Sequence, residues 1–422
     1  MNMRPTVRSA VAAALLLGTA GVAYPWSVWL KSGILSGSFL GYYYGAAYTT
    51  IHSFNPLLLD GGAPAAGLTP TAPGVLLGTT SGPGTAYALF APTGGSKTWG
   101  ETPIAPLSNG TNTPLTPINA FQVVGTEPSI SGYGNAFVLT NTLGVITKSI
   151  LYVFAFGGPA QPTSGLLYDP KTVSLYGTAS GGATGGGLVY RLQLVGGFWK
   201  PSIITTFTNN STGGSNPRGE LIFGAKTKVI FGTTQFGGNI TSPNCAGAVP
   251  GCGVVFRVEP KPNSGEKILY TFNGGADGAS PGGLVTSNGI NFYGATEQGG
   301  NGQGTVYDVV WTGKYRLLYS FANTADGHTP YPQLAMDSSG ALYGTAQGGG
   351  YGLGTAFVLV PPLSKKKKSA WSLSVLHSFG DGSVDDGATP TGRLTLDSNG
   401  TVYGVATQGG AYGHGVAYTI VP

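Results

Sequence analysis

The chain has 422 residues and a formal net charge of +5, yet only 9% of its residues are charged, against about 25% in an ordinary domain. Two positive charges lie in the N-terminal leader and four in the lysine run 365–368, so the rest of the mature chain carries a net charge of −1. We therefore expect no basic groove and no nucleic-acid partner. The lysine run is interpreted as a solvated loop, or as an attachment point for an acidic polymer.

Residues 1–23 read as a secretory signal peptide. Arg4 and Arg8 form the charged start, residues 10–17 the short apolar centre, and Gly21-Val-Ala23 a small-x-small cleavage site. The apolar centre is too short to span a membrane, although an uncleaved membrane anchor is the alternative. We expect a mature chain that starts near Tyr24, has no membrane span and is secreted, displayed at the cell surface or held in the periplasm.

Residues 24–46 are aromatic and glycine-rich and belong to no repeat. We expect this extension either to pack against the following domain or to mediate self-association with another subunit.

An eight-residue phrase then recurs down the chain, for example Leu342-Tyr-Gly-Thr-Ala-Gln-Gly-Gly349 and Val402-Tyr-Gly-Val-Ala-Thr-Gln-Gly409. Its anchor glycines are Gly78, Gly125, Gly177, Gly232, Gly294, Gly344 and Gly404. Spacings of this size indicate supersecondary units that stack on one another to bury a core. We therefore assign seven repeats to residues 47–422.

Each repeat reads as four short strands. In the best copy these are residues 333–337, 341–346, 355–359 and 371–379, with a turn cluster at 326–330 and a glycine-rich loop at 348–354. Radial repetition of such units predicts an all-β, seven-bladed β-propeller of four-stranded antiparallel blades. The lone strand 47–54 complements a last repeat that lacks its fourth strand, so we expect the N-terminal strand to close the last blade. An open β-solenoid is the rival architecture.

The phrase Leu-Tyr-Gly-Thr-x-x-x-Gly-Gly, followed by a Gly-x-Gly step, an apolar strand and a Tyr-Ser-Phe strand, resembles the GloVer tandem repeat. The resemblance covers about residues 47–422 and is strong from the third repeat onward. It implies a secreted bacterial protein, often tethered by a C-terminal anchor, and no established activity. This sequence departs from the anchored members, because Ile420-Val-Pro422 comes directly after a repeat and no sorting motif or anchoring helix follows it in the sequence.

The two cysteines, Cys245 and Cys252, lie close together in an insertion within the fourth repeat. In an exported protein such a pair is expected to form a disulfide. The spacing is not Cys-x-x-Cys and no histidine lies nearby, so neither a redox site nor a metal site is predicted there.

Three aspartates, Asp277, Asp326 and Asp386, occupy equivalent Asp-Gly turns, and Asp60 resembles them. Two interpretations stay open. Each carboxylate accepts hydrogen bonds from its own turn, or together they form a ring near the channel mouth that binds a cation or a sugar hydroxyl.

Of the four histidines, His52 and His377 replace the tyrosine of the Tyr-Ser-Phe strand and are expected to be structural. The other two lie in loops at the predicted channel mouth. The predicted ligand-binding set comprises Asp277, Asp326, His328, Gln347, Tyr351, Asp386, Gln408 and His414.

These features favour a secreted binding or scaffold module for a glycan or another extracellular protein. One alternative is a structural subunit of an extracellular layer or filament. The other is an extracellular carbohydrate-active enzyme, which could use Glu297 with a neighbouring aspartate. No catalytic residue, metal ligand or cofactor is predicted.

Overall fold

The computed structural model describes residues 46–422, apart from 59, 83, 95, 97, 108–112, 130–131, 143–144, 156–157, 183–184, 209–212, 226–228, 246–250, 323–324 and 363–369. The predicted signal peptide, all but the last residue of the predicted extension, and the lysine run lie outside the described residues. Among the described residues, no helix is long and apolar enough to cross a membrane.

Thirty strands and two short 3-10 helices, Pro56–Leu58 and Pro243–Cys245, make up the described regular structure. The strands are β1 (Ala47–Ser53), β2 (Thr69–Ala72), β3 (Val75–Thr79), β4 (Thr85–Phe90), β5 (Gly100–Pro106), β6 (Thr116–Asn119), β7 (Gln122–Glu127), β8 (Asn135–Thr142), β9 (Val145–Val153), β10 (Ala160–Pro162), β11 (Leu167–Asp169), β12 (Ser174–Gly181), β13 (Leu188–Val195), β14 (Phe198–Thr206) and β15 (Gly214–Phe223). They continue with β16 (Ile230–Gly237), β17 (Val254–Val258), β18 (Glu266–Thr271), β19 (Ala279–Pro281), β20 (Asn291–Gln298), β21 (Thr305–Val310), β22 (Tyr315–Ser320), β23 (His328–Pro330), β24 (Ala335–Met336), β25 (Leu342–Gly348), β26 (Thr355–Val360), β27 (Ser372–Ser378), β28 (Gly387–Leu396), β29 (Val402–Gly409) and β30 (Val416–Val421).

The strands form seven antiparallel sheets, which are the blades of the predicted propeller. Blades 1 to 6 each run in chain order, beginning with β2, β6, β10, β15, β19 and β23. Blade 7 has the order β1-β30-β29-β28, with Thr49 opposite Thr419. The N-terminal strand therefore closes the last blade, as predicted, and covers the edge of β30.

The first strand of blade 6 differs from the prediction. A strand was expected at residues 333–337, but the first strand splits into β23 (His328–Pro330) and the two-residue β24 (Ala335–Met336), both paired with β25. Pro330 and Pro332 explain the interruption, because proline has no N–H to donate to a ladder. The predicted turn cluster thus contains the start of the innermost strand.

Each anchor glycine lies opposite an aromatic residue of the next strand in its blade, as Gly344 does opposite Phe357. A Cβ at Gly344 would lie 2.6 Å from the Phe357 Cζ and 2.8 Å from the Leu334 Cδ2. The other pairs are Gly78–Tyr87, Gly125–Phe137, Gly177–Tyr190, Gly232–Phe256, Gly294–Tyr307 and Gly404–Tyr418. The glycine recurs because an aromatic ring occupies the place of its side chain.

In six of the seven blades, a phenylalanine directly after the fourth strand packs against the corresponding aromatic ring of the next blade. Phe379 of blade 6 packs against Tyr418 of blade 7, with ring centroids 5.2 Å apart. Five further pairs have the same tilted geometry: Phe54–Tyr87, Phe154–Tyr190, Phe207–Phe256, Phe272–Tyr307 and Phe321–Phe357. The apolar core therefore lies between blades, which explains why a single repeat could not be stable alone.

At six junctions between described residues, an x-Pro step at or before the first strand of one blade contacts the glycine-rich loop of the preceding blade. Thr389, with a φ of 56°, donates its N–H to the Leu353 carbonyl at 2.8 Å, and Pro390 packs on Gly354. Five other junctions repeat the positive φ and the hydrogen bond, through Ala63, Gln161, Asn216, Ser280 and Thr329. The Asp-Gly turn of one blade and the glycine-rich loop of the preceding blade thus contact each other and form one joint between the two blades.

The Cys245–Cys252 disulfide is present, with a Cα–Cα distance of 5.1 Å. Both cysteines are buried against Phe272 in the core between blades 4 and 5, so the predicted pairing is confirmed.

Candidate functional site

A cavity of about 720 Å³ lies where the first strands of the blades converge on the propeller axis. Lining residues come from every blade and include Ala65, Pro114, Ser164, Arg218, Gly283, Gln333 and Thr391. The ends of second strands also reach it, through Gln235 and Thr407. The cavity is therefore the end of the channel toward which the glycine-rich loops open.

Paired charges dominate the cavity wall. The Arg218 Nη2 atom donates to the Glu297 Oε1 atom at 2.6 Å, which joins blades 4 and 5. Glu220, also from blade 4, accepts hydrogen bonds from Gln333 Nε2 at 2.5 Å and Arg393 Nη1 at 2.8 Å. Arg218 and Glu220 line this cavity and each has an oppositely charged partner, so the wall presents balanced charge and many hydrogen-bonding groups.

The Glu220 network divides the channel. A second cavity of about 420 Å³ is lined by Glu220 and Arg393 together with apolar residues such as Ile222, Leu334 and Met336. Glu220 therefore separates a polar chamber, which holds Arg218, from an apolar one.

Neutral polar groups complete the first chamber. The Asn216 amide donates to the Gln235 Oε1 atom at 2.7 Å. Burial raises the pKa of Tyr331, so its hydroxyl stays protonated at neutral pH and is available as a hydrogen-bond donor. Amides, hydroxyls and paired charges in one concave site can recognise the hydroxyl groups of a polar ligand.

The predicted ring of aspartates lies at the blade junctions, where its members accept hydrogen bonds from within the protein. Asp277 accepts from the Tyr270 hydroxyl at 2.9 Å, and Asp326 from the Tyr319 hydroxyl at 2.6 Å. Asp386 is hydrogen-bonded to His377 Nε2 at 2.9 Å and accepts from a backbone N–H. The second of the two interpretations, ligand binding by these carboxylates, stays a prediction.

The remaining predicted residues lie in or next to the glycine-rich loops. His328 is half-buried and its imidazole lies against Gly348, whose Cβ would fall 2.0 Å from the ring Nε2. The other four side chains are exposed: Gln347, Tyr351, Gln408 and His414. None of the eight predicted residues, all of which the structure describes, is among the described residues that line the cavity.

The sequence singled out Glu297, as a glutamate that an enzyme could use, but not Arg218, Gln333 or Arg393. Glu297 lies in strand β20. A usable signal existed: the residues between the x-Pro step and the next leucine vary from repeat to repeat, as in Pro217-Arg-Gly-Glu-Leu221 and Pro390-Thr-Gly-Arg-Leu394. These variable residues face the channel.

Residues 240–422 match the family model described as the Gloeobacter/Verrucomicrobia repeat, which confirms the predicted resemblance. No curated protein matches the sequence.

Among solved structures, the chain is similar to the extracellular domain of a protein described as a one component system from B. thetaiotaomicron, with 11% identity, a TM-score of 0.50, and coverage of 89% of this chain and 40% of that chain. It is also similar to a puromycin-hydrolyzing peptidase of Mycobacterium tuberculosis, with 11% identity, a TM-score of 0.50, and coverage of 81% and 48%. A chain of a nidogen/laminin complex matches with 14% identity, a TM-score of 0.41, and coverage of 67% and 84%. At 11% identity, the likeness to the first two structures shows the β-propeller fold alone.

Proposed function

Since residues 240–422 carry the Gloeobacter/Verrucomicrobia repeat within a seven-bladed propeller, we propose that the chain is an exported binding module that takes part of a neutral glycan in its channel mouth. The observation that carries the proposal is the polar cavity of about 720 Å³ at the axis. Its size falls within the range of about 300–1,000 Å³ that small-ligand sites occupy.

The charge balance of the cavity favours a neutral ligand. Arg218 is paired with Glu297 and Arg393 with Glu220, so an anionic ligand would have to displace a carboxylate to reach either arginine. A sugar hydroxyl can instead donate to these carboxylates and accept from the amides of Gln235 and Asn216 without leaving a buried charge unpaired.

Export is part of the proposal. The disulfide between Cys245 and Cys252 supports it, because such bridges persist in oxidising compartments outside the cytosol. N-terminal sequencing of the protein recovered from outside the cytoplasm should give a start near Tyr24. Recovery of the chain from the cytoplasm with its first residues still attached would contradict the proposed export.

The direct test is a glycan-array screen of the mature protein, with a channel variant and a matched loop variant. Gln235→Ala removes an amide from the cavity, while Gln408→Ala removes an amide from an exposed position next to a glycine-rich loop. We expect saturable binding to one class of neutral glycan and about 10-fold weaker binding by Gln235→Ala, equivalent to the loss of roughly one good hydrogen bond.

Gln408→Ala should bind as the unaltered protein does. Weaker glycan binding by Gln408→Ala than by Gln235→Ala would place the binding site in the loops and support the ligand-binding set predicted from the sequence. Failure of the unaltered protein to bind any glycan, together with high-order self-association on a sizing column, would contradict the proposal and favour a structural subunit.

A further inference from the structure

The joint where the N-terminal strand closes the ring contains a histidine and two carboxylates. His52 lies in the closing strand β1, Asp60 in the loop that follows it, and Glu101 in the outermost strand of blade 1, β5. The His52 Nε2 and Asp60 Oδ2 atoms are 3.0 Å apart. One donor atom from each of the three residues lies within 4.8 Å of the other two.

Blade 5 has a tyrosine at the position that Glu101 occupies in blade 1. Glu101 lies opposite Leu89, just as Tyr315 lies opposite Val309 in blade 5. Tyr315 stacks on Tyr270, with ring centroids 4.4 Å apart. An aromatic ring therefore covers the Tyr270–Asp277 pair in blade 4, whereas a carboxylate faces the corresponding His52–Asp60 pair.

Blade 4 also has a glutamate at this position, but in the described part of the chain that glutamate has a hydrogen-bond partner and Glu101 does not. Glu266 lies opposite Val258 in the same register, and its Oε2 atom accepts a hydrogen bond from the Thr205 hydroxyl at 2.6 Å. The Glu101 Oε1 atom is buried and has no hydrogen-bond partner among the described residues. Because a buried carboxylate oxygen without a partner is costly, a missing positive group is indicated beside Glu101.

The closeness of the two carboxylates in the cluster also favours a positive group beside Glu101. Asp60 is only 2% exposed. Two carboxylates held this close are relieved by a shared proton or by a bound cation.

We propose that His52, Asp60 and Glu101 bind a divalent transition-metal cation, with Zn²⁺ as the representative ion. An imidazole nitrogen and two carboxylates are ligands that Zn²⁺ accepts, with a water molecule as the fourth. The 3.0 Å separation of His52 Nε2 and Asp60 Oδ2 suits two ligands that each lie about 2.0–2.2 Å from one metal ion.

The Asn55 N–H supports this arrangement, because it donates to both Asp60 oxygens at 3.0 and 3.1 Å. Such hydrogen bonds to a ligating carboxylate hold its orientation. The three ligands come from the closing strand, the loop after it and the next blade. A bound ion would therefore tie the N-terminal strand to blade 1 and stabilise the closed ring.

The test uses the full exported chain, stripped of metal with a chelator and then titrated with Zn²⁺. The unaltered protein should bind one Zn²⁺ per chain, measured by calorimetry and by metal analysis after dialysis, and its melting temperature should rise. Two variants remove one ligand each. Glu101→Gln is isosteric, and His52→Tyr introduces the residue that Tyr270 and Tyr319 supply in equivalent joints, so both should fold.

We expect both variants to bind Zn²⁺ at least about 10-fold more weakly and to lose the rise in melting temperature. The matched control is Glu266→Gln, which removes a carboxylate at the equivalent position of blade 4 and should bind Zn²⁺ like the unaltered protein. The proposal is overturned if the unaltered protein takes up no Zn²⁺, which would mean that the carboxylates share a proton. It is also overturned if Glu101→Gln and His52→Tyr bind as tightly as the unaltered protein.

Discussion

The glycine in the second strand of each blade makes room for an aromatic side chain from the third strand. The pairing of Gly344 with Phe357 is typical: the ring lies where a Cβ of residue 344 would be. A phenylalanine from the preceding blade, here Phe321, then packs against the same ring. One glycine therefore determines how two blades pack on each other.

Gly344→Ala should destabilise the protein by about 1–3 kcal/mol, because the added methyl group must displace Phe357 or Leu334 in a packed core. Gly82→Ala is the control, since a Cβ there meets nothing within 4 Å and the residue has no positive φ. Chemical denaturation of both variants gives the difference. Equal unfolding free energies would show that the ring does not depend on the glycine.

The junction aspartates and their tyrosine or histidine partners are the second recurring contact between side chains. Tyr319→Phe removes the hydroxyl that donates to Asp326 at 2.6 Å, and we expect a loss of about 1.5–3 kcal/mol, the usual contribution of a hydrogen bond to a carboxylate. Tyr351→Phe, at a residue that is 69% exposed, should leave the free energy of unfolding unchanged. A thermal or urea titration compares the two, and equal stability would argue against a structural role for the pair.

The repeats in the sequence were enough to predict the anchor glycines and the junction aspartates, but not all of the residues that these contact. The anchor glycines and the tyrosine positions of His52 and His377 were predicted from the repeats alone, and Asp277, Asp326 and Asp386 were recognised as equivalent. Glu101 was missed because its neighbours, His52 and Asp60, belong to another blade. Only strand register brings the three together.

The glycine-rich loop and the Asp-Gly-x-x-Pro turn act together as one joint between successive blades. Gly354 has a φ of 111°, and its Cβ would lie 2.4 Å from the Pro390 Cδ and 2.7 Å from the Ala346 carbonyl oxygen. The sequence predicted a glycine-rich loop at residues 348–354, where glycine can adopt the positive φ that a wide turn needs. It did not predict that the loop of one blade receives the proline of the next, because that contact crosses a repeat boundary.

Gly354→Ala should therefore cost about 1–3 kcal/mol more than Gly352→Ala in unfolding free energy. Both glycines have a positive φ, 111° and 99°, so both variants carry a similar backbone penalty. A Cβ at Gly352 meets nothing within 4 Å, which leaves contact with Pro390 as the difference. Denaturation of the pair measures it, and equal losses would mean that the joint tolerates a side chain.

Closure of the ring depends on the pairing of β1 with β30, which supplies the fourth strand of blade 7. A chain that starts at residue 55 lacks this strand and the buried Phe54, and it exposes β30 as an edge. We expect this truncated chain to aggregate or to unfold without a cooperative transition. A chain that starts at residue 46 should unfold cooperatively.

Adding a peptide of residues 46–55 to the truncated chain should restore a cooperative transition, followed by circular dichroism. If the truncated chain alone were monomeric and as stable as the longer one, closure by the N-terminal strand would not be needed for the fold.

The number of blades and the closing strand could be predicted because seven repeats and complementary ends are properties of the linear sequence. The candidate site could not, because its walls come from residues far apart in the chain. Glu220 of blade 4 meets Gln333 of blade 6 and Arg393 of blade 7, and the repeat pattern does not indicate which side chains meet across the axis.

The most direct test of glycan binding at the axis is a crystal structure of the protein with the glycan that binds best on the array. We expect electron density for a sugar residue in the channel mouth, within hydrogen-bond distance of Gln235, Asn216 or Tyr331. Density instead beside Tyr351 or His414, or on the outer surface of a blade, would contradict it.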